Sequence, residues 1–175
     1  MKHLLFTICL FFITGISYGQ FGVAAGFGSA KGKVTGGGVS VKGDSASSFS
    51  FGVLYDSEIA ENFDLQTSLG FGIGEKVGDE SNNSIGIGVN LQYYISGKDN
   101  GFFIGPGISF ANSLADVDTD VIKKTAFSGS IGLGYDISQN FTILGGYSTS
   151  LSNSSNIDGL KIKASGISLG LQYLF

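Results

Sequence analysis

Three aspartates stand at alternate positions in DVDTD, as Asp116, Asp118 and Asp120. Carboxylates at the first, third and fifth positions open a calcium loop, where hard oxygen ligands surround the ion. Such a loop also needs a glycine at its sixth position and an acid at its twelfth. Val121 and Phe127 stand there instead. A solvated acidic loop accounts for the stretch, and no metal is expected. Gly-rich strings such as GFGIG (70–74) and IGLG (131–134) invite a second chemistry, phosphate binding. A phosphate loop follows a strand and opens a helix. These strings lie inside period-two alternation, so small residues on one face of a strand explain them. The only histidine is His3 and the only cysteine is Cys9. Proton transfer near neutral pH most often uses histidine. The expected protein is therefore not an enzyme and carries no cofactor.

Both of those residues belong to a segment of their own. Lys2 and His3 precede a run from Leu4 to Ile13 that is apolar apart from Thr7. Ser17 and Gly19 then place small residues at −3 and −1 of a cut before Gln20. This is the pattern of a secretory signal peptide, and the run is too short to span a membrane. The expected division is a signal peptide over 1–19 and one domain over 20–175. With Cys9 removed, that domain forms no disulfide. With Lys2 set aside, nine lysines and no arginine face fourteen acidic residues, a formal charge of −5. That balance argues against nucleic acid as a partner.

The elements that position the remaining polar residues repeat with period two, the period of a strand. Eight strands are expected, over 21–27, 49–55, 63–73, 85–95, 102–110, 127–137, 141–151 and 166–175. The connections between them alternate short and long. The first long one, 29–48, carries Val34, Val39 and Val41 around Gly36-Gly37-Gly38, as in an extended hairpin. One face of every strand is large and apolar. The other is Gly, Ser, Ala, Thr, Asn and Gln, with Asp64 and Asp136 almost its only charges. A face meeting bulk water would carry many more charges. Small polar residues instead suit the narrow lumen of an eight-stranded barrel. The apolar face then turns to lipid. Rings beside the short turns, including Tyr55, Phe63, Tyr93, Phe102, Tyr135, Phe141 and Tyr173, mark a headgroup girdle. The fold class is an all-β, transmembrane, eight-stranded antiparallel up-and-down β-barrel. Short connections face the periplasm and long ones face outward.

The FFIGPGISF strand and the terminal LGLQYLF, with the signal-like start, resemble the small eight-stranded outer-membrane barrels of the OmpA/OmpX type. The likeness is greatest to the Gly-rich versions common in Bacteroidota. In that family a C-terminal aromatic with alternating apolar residues is read by the barrel-assembly machinery. The resemblance implicates Leu169, Leu171, Tyr173 and Phe175. It implies outer-membrane lipid as the surroundings, the assembly machinery as a transient partner, and a monomer. It names no extracellular partner. Asp44-Ser45-Ala46 resembles an O-glycosylation acceptor known in Bacteroidota, with Ser45 as the acceptor.

Inside the barrel, the large residues Leu54, Tyr94, Phe103, Leu144 and Leu174 map to the periplasmic half and are expected to form an apolar plug. Asp64, Gln66, Asn90, Gln92, Asp136 and Gln172 are expected to form a polar network above or within it. The leading functional reading is a non-enzymatic barrel with a structural or surface-interaction role. The alternatives are a narrow channel or small-ligand barrel and, more weakly, a lipid-modifying enzyme.

Overall fold

The structure, a computed structural model, describes residues 19–77, 80–95, 97–98, 101–116 and 119–175. The expected signal peptide, Gly19 excepted, and Asp118 of the acidic loop lie outside them. Eight strands form: β1 (Gly19–Gly36), β2 (Val39–Ala60), β3 (Phe63–Val77), β4 (Glu80–Tyr94), β5 (Phe102–Ser113), β6 (Thr125–Asp136), β7 (Phe141–Ser150) and β8 (Lys161–Leu174). Each pairs antiparallel with its chain neighbours, and β8 returns to β1, giving a closed barrel. All eight expected strands are present.

Several are longer than the alternation of large and small residues suggested. The connection expected over 29–48 is not a loop. β1 and β2 continue past the apolar band and meet at Gly37-Gly38, with φ of +57° and +78°. Two successive residues at positive φ are what a tight hairpin turn demands, and glycine adopts them without a Cβ clash. The Val34–Val41 pair lies two steps below that turn. β8 likewise begins at Lys161 and pairs with β1 as far out as Thr35. These ends are rich in Gly, Ser and Lys, which carry weak strand propensity. Pairing with a strand already held in the wall overrides that weakness.

The register fixes the shape. Following paired residues round the wall leads from Phe21 through Tyr55, Thr67, Val89, Ile108, Gly129, Thr149 and Ser165 to Lys31. The path returns to β1 ten residues further along. That stagger requires the strands to tilt by roughly 35–45°. The outward column is apolar and open to its surroundings, with Phe27, Leu69, Ile87, Leu133 and Leu169 all exposed. Cross-strand ring pairs stand at the short-turn end. The centroids of Phe21 and Tyr55 are 5.0 Å apart, and those of Phe63 and Tyr93 are 4.8 Å apart.

The inward column is small because the lumen is narrow. A Cβ added at Gly134 would fall within the Phe103 ring, so this glycine makes room for the largest side chain crossing the interior. Gly105 has a different reason. A Cβ there would strike the Leu91 carbonyl of β4. The β4–β5 ladder is interrupted at this point, between the pairs Asn90–Gly107 and Tyr93–Ile104. Pro106 sits in the gap, where its missing N–H breaks no ladder bond to β4.

Candidate functional site: the lumen

The inward residues leave a waist with one cavity on either side of it, and a third space of about 200 Å³ lies among Ala24, Gly26, Ser50, Ser68, Leu144 and Gly170. Gln66 of β3 and Gln172 of β8 cross the waist and exchange two amide hydrogen bonds. The Gln66 Nε2 donates to Gln172 Oε1 at 3.1 Å, and Gln172 Nε2 donates to Gln66 Oε1 at 3.0 Å. Both side chains are buried. Gln92, also buried, lines both cavities beside them. The cavity on the long-loop side is about 150 Å³ and is lined by Asn90, Phe103, Leu144 and small Gly and Ser residues. The cavity on the short-turn side is about 740 Å³ and is lined by Asp56, Glu58, Asp64, Asp136, Lys98 and Tyr94, among others.

Of the large inward residues, Tyr94 and Phe103 are buried with ring centroids 5.3 Å apart and tilted by 55°. Leu54, also buried, and Leu174 both lie against Gly22. Leu144 lies against Gly170 and lines one cavity with Phe103.

The charged residues gather around the short-turn cavity, which Asp56, Asp64, Lys98 and Asp136 all line. Besides the glutamine pair, Asp136 accepts a 2.6 Å hydrogen bond from the Thr142 hydroxyl. Asp64 is bound instead to Lys98, which the sequence reading did not single out. The Lys98 Nζ lies 2.7 Å from Asp64 Oδ1 and 2.8 Å from Glu58 Oε2. It also stands over the Tyr94 ring, 5.7 Å from the centroid. Glu58 and Asp64 are directly opposed across β2 and β3, an arrangement in which like charges repel. One lysine from the connection between β4 and β5 bridges both. Burial of Lys98 works against its charge, but the hydrogen bonds and charges of Asp64 and Glu58 outweigh it and raise its pKa above 10.5. The nearby Asp56 has a buried carboxylate oxygen, Oδ1, without a hydrogen-bond partner among the described residues. The signal for this cluster in the sequence was the position of Lys98, just beyond the inward Tyr94 in a short connection.

At the C-terminus, β8 is fastened on both sides. The Leu174 carbonyl accepts a 2.7 Å bond from the Asn140 side chain, and the Phe175 N–H donates to the Phe21 carbonyl at 2.8 Å. Tyr173 packs between Phe141 and Phe175, with centroids 5.7 and 5.5 Å away. Leu169, Leu171, Tyr173 and Phe175 all lie on the outward face, and Phe175 is 71% exposed. Among the described residues, no group of three or more His, Cys, Asp and Glu side chains is arranged to hold a metal.

Two outcomes follow from this geometry. Replacing Gln66 or Gln172 singly by leucine leaves a buried amide unpaired and is expected to cost about 1–3 kcal/mol. Replacing both is expected to cost less than the sum, with a coupling of at least ~0.5 kcal/mol in urea unfolding of the detergent-held barrel. For Lys98, the raised pKa means that its stabilisation is complete below the ordinary lysine value and fades as pH rises through the higher folded one. The stability difference between wild type and Lys98→Met should therefore be complete below the ordinary lysine value and shrink as pH rises through the higher folded one. A difference independent of pH would show that the charge of Lys98 contributes nothing.

The fold has relatives. Three solved structures are similar along nearly the whole chain. Neisserial surface protein A is 17% identical, with 89% of this chain and 97% of that one covered and a TM-score of 0.54. The outer membrane enzyme PagL is 14% identical, with 88% and 99% covered and a TM-score of 0.57. A de novo designed transmembrane β-barrel is 14% identical, with 90% and 97% covered and a TM-score of 0.53. At these identities the likeness is one of fold. No curated protein sequence matches the chain. The family described as outer membrane protein beta-barrel domain matches residues 14–175. A closed ring of eight strands, apolar outside and small and polar within, is what that description requires, and the chain belongs to this family of outer-membrane barrels.

Proposed function

We propose that the protein is a non-enzymatic outer-membrane barrel, shut to solutes, that presents its long-loop end at the cell surface. The observation that carries this reading is the filled waist of the lumen. The Gln66–Gln172 pair spans it, with Phe103, Tyr94 and Leu54 buried around it. Such a lumen suits a barrel whose work is done by its outer ends, because loops held on a rigid scaffold are where recognition usually resides. PagL, an enzyme, shares the fold at 14% identity, and function does not travel with fold alone. The absence of histidine beyond His3 favours a non-enzymatic role here. The barrel acts as a monomer in this reading, with lipid around its apolar face.

A second reading is supported by the smaller cavity. Its Gly and Ser lining beside Asn90 and Gln92 suits a small polar ligand entering from outside. Planar-bilayer recording separates channel from shut barrel. The purified protein should give no stable, large single-channel steps, whereas Phe103→Ala combined with Gln66→Gly should introduce them. Large steps from the wild type would overturn the shut barrel.

The exposed end of β8 serves, in the same proposal, as the signal read by the assembly machinery. Phe175→Ser should lower the heat-modifiable fraction in outer membranes several-fold, while refolding in detergent stays intact. Unchanged insertion in cells would remove that role from Phe175.

A further inference from the structure

The outer ends of β8, β1 and β2 form a three-stranded extension of the wall, and its lysines fall on one face. Lys33 is paired with Lys42 on one side and with Lys163 on the other. Lys31 lies two residues before Lys33, and Lys161 two before Lys163, so both share that face. These five are more than half of the lysines beyond Lys2, and all five are exposed. Among the described residues none of them forms an ion pair.

Lys42 reaches this face through a bulge. Lys31 pairs with Ser45 but Lys33 pairs with Lys42, so Gly43 and Asp44 together oppose Gly32. An extra residue reverses the alternation beyond it and re-aims the side chains. Without it, Lys42 would point over the lumen and Val41 would point outward. Like charges placed directly opposite in a sheet are unfavourable. Three in a row therefore need an anion to neutralise them. The acids nearest in register are Asp44, in the bulge, and Glu75, whose Oε2 already accepts the Ser47 N–H at 2.9 Å.

The height of this face selects the anion. It continues the lipid-facing columns Phe21–Phe27 of β1 and Ile167–Tyr173 of β8. Lys31 and Lys163 each lie ten residues beyond a girdle ring, Phe21 and Tyr173. At about 3.3 Å per residue and a tilt of about 40°, that is roughly 25 Å, the height of the apolar band of such barrels. The lysines thus begin where the acyl chains of the outer leaflet end. Thr35, Ser40 and Ser165 add hydroxyl donors on the same face.

We propose that this face binds the phosphate groups of a phosphorylated glycolipid in the outer leaflet, with its acyl chains against the apolar column below. The proposal rests on the outer-membrane placement and is independent of whether the lumen is shut. The test measures binding of fluorescent, phosphorylated lipid A to the refolded full-length barrel in zwitterionic micelles. Wild type is compared with the triple variant Lys33→Gln, Lys42→Gln, Lys163→Gln, and with Lys123→Gln, Lys124→Gln as a control on another loop. Heat-modifiable gel migration verifies that each variant folds. The triple variant should bind at least tenfold more weakly and lose most of the salt dependence. The control should bind as wild type does, and dephosphorylated lipid A should bind wild type no better than the triple variant. Binding by the triple variant within twofold of wild type would overturn the proposal. So would equal binding of the dephosphorylated lipid. Displacement by a modest excess of inorganic pyrophosphate would assign the face to soluble phosphates instead. Retention of heparin without lipid A would assign it to a sulfated polysaccharide.

Discussion

A backbone amide facing hydrocarbon finds no water to bond. Everything else in this barrel depends on that constraint. It forbids an open edge, so β8 must return to β1, and the pairs from Gly22–Leu174 to Thr35–Lys161 complete the ring. It also explains how carefully the last residues are fastened. The Leu174 carbonyl takes the Asn140 side chain, and the Phe175 N–H takes the Phe21 carbonyl. The strand that closes the barrel therefore leaves few polar groups unmet at the end where the chain stops.

Closure with eight strands leaves an interior that side chains must fill, and the composition follows. Gly134 yields its volume to Phe103, and Gly105 yields to the backbone of β4. Several of the polar residues that enter have partners close by, although the buried Asp56 Oδ1 has none among the described residues. The two glutamines satisfy each other, Asp136 takes the Thr142 hydroxyl, and Lys98 offsets the opposed Glu58 and Asp64. Buried polar groups unite a structure when satisfied and destabilise it when not. The glutamine pair joins residues 106 apart in sequence and the Lys98–Asp64 pair residues 34 apart, so these two supplement the ladders in holding the ring to one register.

Much of this was legible in the sequence, because one physical rule writes it. Each strand in the wall alternates large and small, so the positions of Phe49, Leu69, Ile87 and Leu169 on the lipid side, and of Gln66, Gln92 and Gln172 on the lumen side, could be read directly. Three features could not. The valines of the Val34–Val41 hairpin hinted at the outward continuation of β1 and β2, but its unbroken run through the Gly- and Ser-rich stretches, and that of β8, depends on pairing with neighbours. Lys98 is distant in sequence from Asp64 and Glu58, and the pairing of β2 with β3 and of β3 with β4 brings the connection that carries it beside them. The pairing of the large inward residues is the third, because parity gives a side chain's face and not its height: the Tyr94–Phe103 ring contact and the approach of Leu54 and Leu174 to Gly22 depend on the register.

The two-residue turn at Gly37-Gly38 has one more consequence. A Cβ at either glycine would meet nothing within 4 Å, and the turn stands at the tip of the longest hairpin, one residue beyond Gly36, which lies against Gly159 and Leu160. A peptide spliced between them would burden neither the wall nor the lumen. The tip is thus the place where this scaffold can vary in length and antigenic character without disturbing the ring. It is also where a foreign segment could be carried.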